Sequence, residues 1–219
     1  MSEIKNRRPI RSRNTRWANW AAKKLQMQGA TPNGISLFSI VCALMAMVAF
    51  GLAFRTSYHS ITVLALLFAI VGMQARLICN LLDGMVAVEG GLRSSVGAIY
   101  NELPDRISDV VIFIGIGYGL ISFASASYLG WIAGLLSVMT AYIRLLGGTC
   151  GLEQKFLGPM AKQQRMAVLT IGSVIAILVP AHSQLILYIG LWIVVVGSFL
   201  TIVNRTTVIA KELTQKGHL

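Results

Sequence analysis

The sequence predicts an all-α integral membrane protein with six transmembrane helices and an N-terminal amphipathic interfacial helix. Of its 219 residues, 55 % are hydrophobic and only 12 % are charged, and the mean hydropathy is +0.70. These values exclude a water-soluble globule and a disordered chain. The three cysteines, Cys42, Cys79 and Cys150, are too few for a disulfide-stapled secreted domain.

Residues 1–30 form a basic arm that we expect to be cytoplasmic and interfacial. Residues 1–24 contain eight of the nineteen Lys and Arg side chains, interleaved with Trp17 and Trp20. Such a helix gains about 1 kcal/mol per basic residue near anionic headgroups. The segment up to Arg13 is equally typical of a solvated tail. The net charge of +11 is therefore assigned to membrane lipids and to topology, and no nucleic-acid partner is expected.

Residues 31–219 form one predicted domain with six apolar runs. A spanning helix needs about 20 mostly apolar residues. The runs cover residues 34–54, 60–83, 96–122, 128–147, 165–179 and 185–203. The fifth run is the shortest.

Basic residues in the connections predict the orientation of these runs. The connections after runs two and four and the C-terminal tail contain Arg93, Lys155, Lys162, Arg165, Arg205, Lys211 and Lys216. The connections after runs one, three and five contain only Arg55. Because short cytoplasmic loops collect Lys and Arg, both termini are predicted to be cytoplasmic, and we expect a multi-pass protein of the bacterial inner membrane.

Ionisable residues within the runs are concentrated in runs two to four. Each costs about 2.5 to 3.5 kcal/mol to insert, so each is a functional candidate. They are Arg76, Asp83, Glu102, Asp105, Arg106, Asp109 and Arg144. The sequence thus predicts a polar site among these three helices, open to the cytoplasm.

Helical spacing places oxygen donors on two facing helices. Asn80 and Asp83 share one helix face, and Asn101, Asp105 and Asp109 recur every four residues on the next helix. Carboxylate and amide oxygens suit hard cations such as Mg²⁺, Mn²⁺ or Ca²⁺. The alternative is that the acids form buried salt bridges with the neighbouring arginines.

The segment NLLDGMVAVEGGLRSSVGAIYNELPD, which starts at Asn80, resembles the signature of the CDP-alcohol phosphotransferases, D-x2-D-G-x2-A-R-x8-G-x3-D-x3-D. The matching residues are Asp83, Gly84, Ala87, Gly97 and Asp105. Six spans with cytoplasmic termini, and a TPN tripeptide that contains Asn33, are also similar to this family. Three positions depart from the signature, because Asn80, Val88 and Asn101 replace Asp, Arg and Asp.

The resemblance implies that the first three acids hold one or two divalent metal ions and that the fourth is the catalytic base. On this chain the metal ligands would be Asn80, Asp83 and Asn101, with Mg²⁺ or Mn²⁺ as the cofactor, and Asp105 would be the base. Because an amide oxygen brings no charge, the two asparagines should reduce cation affinity.

Neighbouring acids offer replacements for the missing charge. Glu102, Asp105 and Asp109 share an overlapping helix face, so Glu102 or Asp109 could serve as a metal ligand. If Asp105 became a ligand, Asp109 would be the candidate base. Pro104 is expected to bend the helix at this point because it removes a backbone hydrogen bond.

Small and basic residues complete the predicted site. Gly84, Ala87 and Gly97 would let a phosphate-bearing ligand approach the backbone, although glycine also permits close packing of membrane helices. The TPN residue Asn33 joins this predicted substrate-binding set. Arg144, Lys162 and Arg165 could bind phosphate, or they could only set the topology.

The resemblance implies transfer of a substituted phosphate, phosphatidyl above all, from a CDP-linked lipid donor to an alcohol, with release of CMP in phospholipid biosynthesis. It also implies a homodimer. The main alternative is a catalytically impaired member that binds lipid or acts as a partner subunit. Two other membrane functions are disfavoured. Enzymes that transfer prenyl groups normally need more membrane spans than this chain provides. A channel or transporter would have polar residues throughout the depth of the membrane, whereas these acids gather near one face.

Overall fold

The computed structural model describes residues 15–89, 91, 95–154 and 156–217. The first half of the predicted basic arm lies outside this range. So do Arg93 and Lys155, which contributed to the predicted orientation.

Within the described residues the chain is helical, with seven α-helices, one short 3-10 helix and no β-strand. The α-helices are α1 (Arg16–Met27), α2 (Pro32–Ala53), α3 (His59–Glu89), α4 (Gly97–Gly119), α5 (Ala126–Thr149), α6 (Lys162–Leu178) and α7 (Ser183–Gly217). The 3-10 helix, Pro180–His182, leads into α7. The prediction of an all-α chain is confirmed.

Helix α1 lies within the predicted arm and packs on α3. Ala18 and Ala22 are buried, because their short side chains allow α1 to approach its neighbour. Trp17 and Trp20 are exposed, and the Lys24 ammonium lies 4.9 Å from the centre of the Trp20 ring. The aromatic and basic side chains of α1 therefore face outward, as an interfacial helix requires.

Four of the helices are long and apolar enough to cross a membrane. They are Pro32–Ala53, His59–Val88, Ala126–Thr149 and Pro180–Lys216. Helix α4 contains four ionisable residues between Glu102 and Asp109, and α6 has only 17 residues. The protein is thus a multi-pass membrane protein, and the count of six spans stays a prediction for α4 and α6.

Successive helices from α2 to α7 run in alternating directions, so α2, α4 and α6 begin where α3, α5 and α7 end. We call this end of the bundle the site end. At the start of α2, the Thr31 hydroxyl accepts a hydrogen bond of 3.1 Å from the Gly34 backbone N–H, and Pro32 occupies the first turn. This part of the TPN tripeptide therefore caps the helix.

Helix α2 packs against both α3 and α4, and this contact forms the centre of the core. A Cβ atom built on Gly115 of α4 would lie 2.5 Å from the Met47 Cα of α2, so the two backbones touch. Phe50 and Phe113 are buried nearby in the same cluster. Helix α4 continues through Pro104, although this residue cannot donate to the carbonyl one turn earlier. The close packing of α2, α3 and α4 holds their site ends in a defined register.

Candidate active site

Asp83, near the site end of α3, is a buried carboxylate with one oxygen unused. Its Oδ2 accepts a hydrogen bond of 2.6 Å from the Ser36 hydroxyl of α2. Its Oδ1 is buried and has no hydrogen-bond partner among the described residues, and the residue is only 3 % exposed. A buried carboxylate oxygen without a partner is costly unless a ligand or cation satisfies it. Asp83 therefore presents to the site a carboxylate oxygen that a cation or a hydrogen-bond donor of a ligand can bind.

Lys162 joins Asn80 of α3 to Asp105 of α4. It is the first residue of α6, and its ammonium donates to Asp105 Oδ2 at 2.6 Å and to Asn80 Oδ1. The charges of Asp105 and Lys162 are close enough to Asp83 to interact with it. The structure therefore brings Asn80, Asp83, Asp105 and Lys162 together, from three different helices.

Asp109 lies one turn further along α4 and has both of its oxygens paired. Arg76 donates to Oδ1 at 2.5 Å, and Arg165 donates to Oδ2 at 2.7 Å. Arg76 also donates to the backbone carbonyl of Asp105 at 3.1 Å, and Arg165 donates to the Thr140 hydroxyl at 3.1 Å. Asp109, Arg76 and Arg165 are all essentially inaccessible to solvent. This network fixes α3, α4, α5 and α6 relative to one another beneath the site.

Glu102 connects α4 to α5. Its carboxylate accepts from Arg106 at 3.0 Å and from Arg144 at 2.6 Å. The Arg144 guanidinium also lies 5.2 Å from the centre of the Phe156 ring. Arg144 and Arg205 border a small pocket between α5 and α7. The expected pairing of acids with arginines thus applies to Glu102, Asp109 and, at longer range, Asp105, whereas Asp83 has no arginine partner among the described residues.

The remaining predicted residues lie at or near the surface of the site end. Asn101 is exposed, whereas Asn33, Gly84, Ala87 and Gly97 are half-buried. A Cβ atom on Gly97 would meet no atom within 4 Å, so open space surrounds this position. Helical spacing places Asn33 one turn before Ser36, on the side of α2 that faces Asp83. Small residues therefore leave room for a ligand at the site.

Asp83 Oδ1 is available to a hard divalent ion, but the residues around it do not form a complete metal site. In the described part of the chain, no three His, Cys, Asp or Glu side chains converge as a metal site. The oxygens of Asn80 and Asp105 converge on the Lys162 ammonium instead. The site accordingly offers less negative charge than the four aspartates of the signature would supply.

Sequence reasoning missed Ser36 and Thr140, which bond directly to site residues. Hydroxyl side chains in membrane helices commonly bond to their own backbone, and Thr140 also donates to the Ser137 carbonyl at 2.7 Å. For Ser36, the sequence signal is its spacing of three residues from Asn33, which places both residues on the same face of α2. Arg205 was interpreted as a tail residue, yet it is buried and donates to the Leu157 carbonyl at 2.8 Å.

Two sequence relatives resemble the chain over most of its length. The inner membrane protein YnbA of Escherichia coli K12 is 28 % identical over 154 residues, which cover 70 % of this chain and 72 % of YnbA. Phosphatidylinositol phosphate synthase of Streptomyces avermitilis is 29 % identical over 142 residues, which cover 61 % of this chain and 57 % of that protein.

The fold resembles crystal structures of Mycobacterium tuberculosis phosphatidylinositol phosphate synthase (PgsA1). The complex with manganese and citrate has a TM-score of 0.71 at 20 % identity and covers 88 % of both chains. The structure with CDP-DAG bound also has a TM-score of 0.71 at 20 % identity, and it covers 89 % of this chain and 94 % of the other.

A family comparison agrees with the motif and with the fold. The family model described as CDP-alcohol phosphatidyltransferase matches residues 29–204. This match includes helices α2 to α6, most of α7 and every residue of the candidate site. The chain therefore belongs to the CDP-alcohol phosphatidyltransferase family.

Proposed function

We propose that this chain transfers a phosphatidyl group from a CDP-linked lipid such as CDP-diacylglycerol to an alcohol, releasing CMP. The observation that carries the proposal is the convergence of Asp83, Asp105 and Lys162 from three helices, with one Asp83 oxygen unused. The spacing of the family signature and the CDP-DAG complex of the structural neighbour support a CDP-linked donor.

The donor diphosphate would bind against the site ends of α3, α4 and α6. A bound Mg²⁺ or Mn²⁺ ion would neutralise negative charge on the diphosphate and on the leaving CMP. Asp83 would hold this ion, and the amide oxygens of Asn80 and Asn101 would assist. The open space around Gly97 would admit the diphosphate close to the backbone.

Asp105 would accept the proton of the acceptor alcohol. The alcohol oxygen attacks the phosphorus that carries the lipid group, and the bond from that phosphorus to the CMP oxygen breaks, so CMP leaves with the bonding electrons. Asp109 has both oxygens bound by arginines, so we assign it a positioning role. Through Arg76 it holds the backbone of Asp105.

The proposal places the site at the cytoplasmic face of the bacterial inner membrane. Helices α4 and α6 complete six spans, both termini are cytoplasmic, and α1 lies at the headgroup level. The nucleotide would then arrive from the cytosol while the acyl chains stay in the bilayer. Arg144, beside the pocket between α5 and α7, would contact the acceptor, and the chain would form a homodimer.

A second candidate is a member without catalysis that binds lipid or a partner subunit. Asn80 and Asn101 remove two charges of the signature, and Val88 replaces its Arg. Glu102, which could supply a charge, is bound by Arg106 and Arg144. This alternative predicts CDP-lipid binding without turnover.

The experiment that separates the candidates is CMP release by the purified protein in liposomes that contain CDP-diacylglycerol. Glycerol phosphate, inositol phosphate, serine, choline and a phospholipid would be supplied as acceptors, with Mg²⁺ or Mn²⁺ and with a chelator as control. Metal-stimulated CMP release with one acceptor supports the transferase. CDP-lipid binding without CMP release in the presence of any of the acceptors supports the non-catalytic candidate.

A further inference from the structure

The Lys162 ammonium occupies the point at which two oxygen donors of the site converge. Asn80 Oδ1 from α3 and Asp105 Oδ2 from α4 both accept its hydrogen bonds. An ammonium group has three N–H donors and no acceptor. Within the described part of the chain, these two bonds leave one donor of Lys162 for a further acceptor.

Among the described residues of this site, positive charge already exceeds negative charge without any added ion. Five cationic side chains surround four carboxylates. The cations are Arg76, Arg106, Arg144, Lys162 and Arg165, and the carboxylates are Asp83, Glu102, Asp105 and Asp109. The single carboxylate of Asp105 lies within 4 Å of side-chain nitrogens from three cations, Lys162, Arg76 and Arg106. A doubly charged ion beside Asp105 would therefore meet strong repulsion.

We propose that Lys162 is the resident cation of this site and that its ammonium binds the donor diphosphate directly. The proposal rests on the function proposed above. It differs in the cation that holds the diphosphate, which is Lys162 in place of a divalent ion. With Asn80 uncharged, the neutral amide and the single carboxylate of Asp105 suit a singly charged ammonium. The diphosphate oxygen would take the remaining N–H donor, in a charge-assisted hydrogen bond. Nucleotide binding should then persist in the absence of divalent ions. Asp83 would bind at most one such ion.

The test is CDP binding to the full-length protein in nanodiscs, measured by isothermal titration calorimetry in EDTA and then in Mn²⁺. Wild-type protein should bind CDP in EDTA with an affinity within about threefold of that in Mn²⁺. Lys162→Met should weaken binding in EDTA by about tenfold or more, which is the loss of one charge-assisted bond. Lys162→Arg should keep binding in EDTA because it keeps the charge.

Lys211→Met is the matched control, because Lys211 is an exposed residue near the end of α7. This variant should bind CDP as wild type does. Mn²⁺ binding, followed by electron paramagnetic resonance, gives a second readout without nucleotide. Lys162→Met should bind Mn²⁺ more tightly than wild type, since the repulsion from the ammonium is gone.

The outcomes separate this proposal from the proposed function. If EDTA abolishes CDP binding to wild-type protein and Lys162→Met matches wild type in Mn²⁺, a metal ion holds the diphosphate and the resident-cation proposal is overturned, while the proposed function stands. If the protein binds no CDP under either condition, the proposed function fails and this proposal fails with it.

Discussion

Two aspartates of the same motif have different surroundings, and this difference assigns them different tasks. Asp83 receives one hydroxyl hydrogen bond, and its other oxygen is buried with no partner in the part of the chain that the structure describes. Asp105 is bound by an ammonium at one oxygen and is 6 % exposed. The first residue is suited to hold a cation, whereas the second can accept a proton from a ligand that binds beside Lys162.

Asp105→Asn should abolish turnover and leave the fold intact. The change removes the charge that accepts the proton, and general-base catalysis is worth about a hundredfold or more. The amide oxygen can still accept the hydrogen bond from Lys162, so the thermal unfolding midpoint should stay near that of wild type. CMP release and thermal unfolding in detergent are the two measurements. A near-normal rate would show that another group accepts the proton.

Asn80→Asp combined with Asn101→Asp should increase the affinity for Mn²⁺. The double variant restores the two missing charges of the motif, and cation affinity follows the charge of the ligands. We expect about a tenfold lower Kd by electron paramagnetic resonance. Asn204→Asp, at an exposed position of α7, adds a charge on a helix that supplies none of the proposed ligands and should leave the Kd unchanged. If the double variant also leaves it unchanged, these side chains do not face the ion.

At the scale of the helices, the six apolar runs correspond to α2 to α7, because hydrophobicity is a local property of the sequence. The ends of these helices were harder to predict. Helix α3 continues six residues beyond the predicted end of its run, to Glu89, and α7 continues to Gly217. Both extensions leave the apolar part of the run, and a helix that protrudes from the membrane carries no compositional signal for its end.

The contact between α2 and α4 depends on glycine, and this dependence can be tested. Gly115→Ala would place a Cβ atom 2.5 Å from the Met47 Cα and carbonyl oxygen. Overpacking of this kind costs about 1 to 3 kcal/mol, more than the gain of about 0.5 to 1 kcal/mol from the better helix propensity of alanine. The free energy of unfolding should fall, measured by thermal or chemical denaturation in detergent.

Gly190→Ala is the control for this contact, since its Cβ would lie 3.9 Å from Val168 Cγ1, an ordinary distance. The control should be as stable as wild type or more so. Equal stability of the two variants would mean that α2 and α4 can separate without cost.

For the whole molecule, the sequence predicted which acids lie on helix faces that can meet, but not how the charged side chains pair with one another. Helical spacing alone places Asp83 and Asp105 on faces that can meet, because that geometry is local. Apart from Arg106, which lies one turn from Glu102 on α4 itself, the partners of Glu102 and Asp109 come from α3, α5 and α6. Such pairing depends on how the helices are rotated and shifted against one another, which no local pattern encodes. The same limit applies to Lys162. The sequence indicated either a phosphate ligand or a residue that sets the topology, and it did not indicate the bond to Asn80.

The orientation of the bundle predicts which thiol can be reached from which side. Cys42 and Cys79 are buried, whereas Cys150 is exposed at the end of α5. With both termini cytoplasmic, a membrane-impermeant maleimide should label Cys150 in inverted vesicles and not in intact spheroplasts. Ser57→Cys in a Cys150→Ser background gives the matched control, because Ser57 is exposed in the connection between α2 and α3, at the opposite end of the bundle. Its labelling should show the reverse pattern. Labelling of Cys150 from the outside would invert the bundle and move the site away from cytosolic nucleotide, which would contradict the proposed transfer as well as the predicted topology.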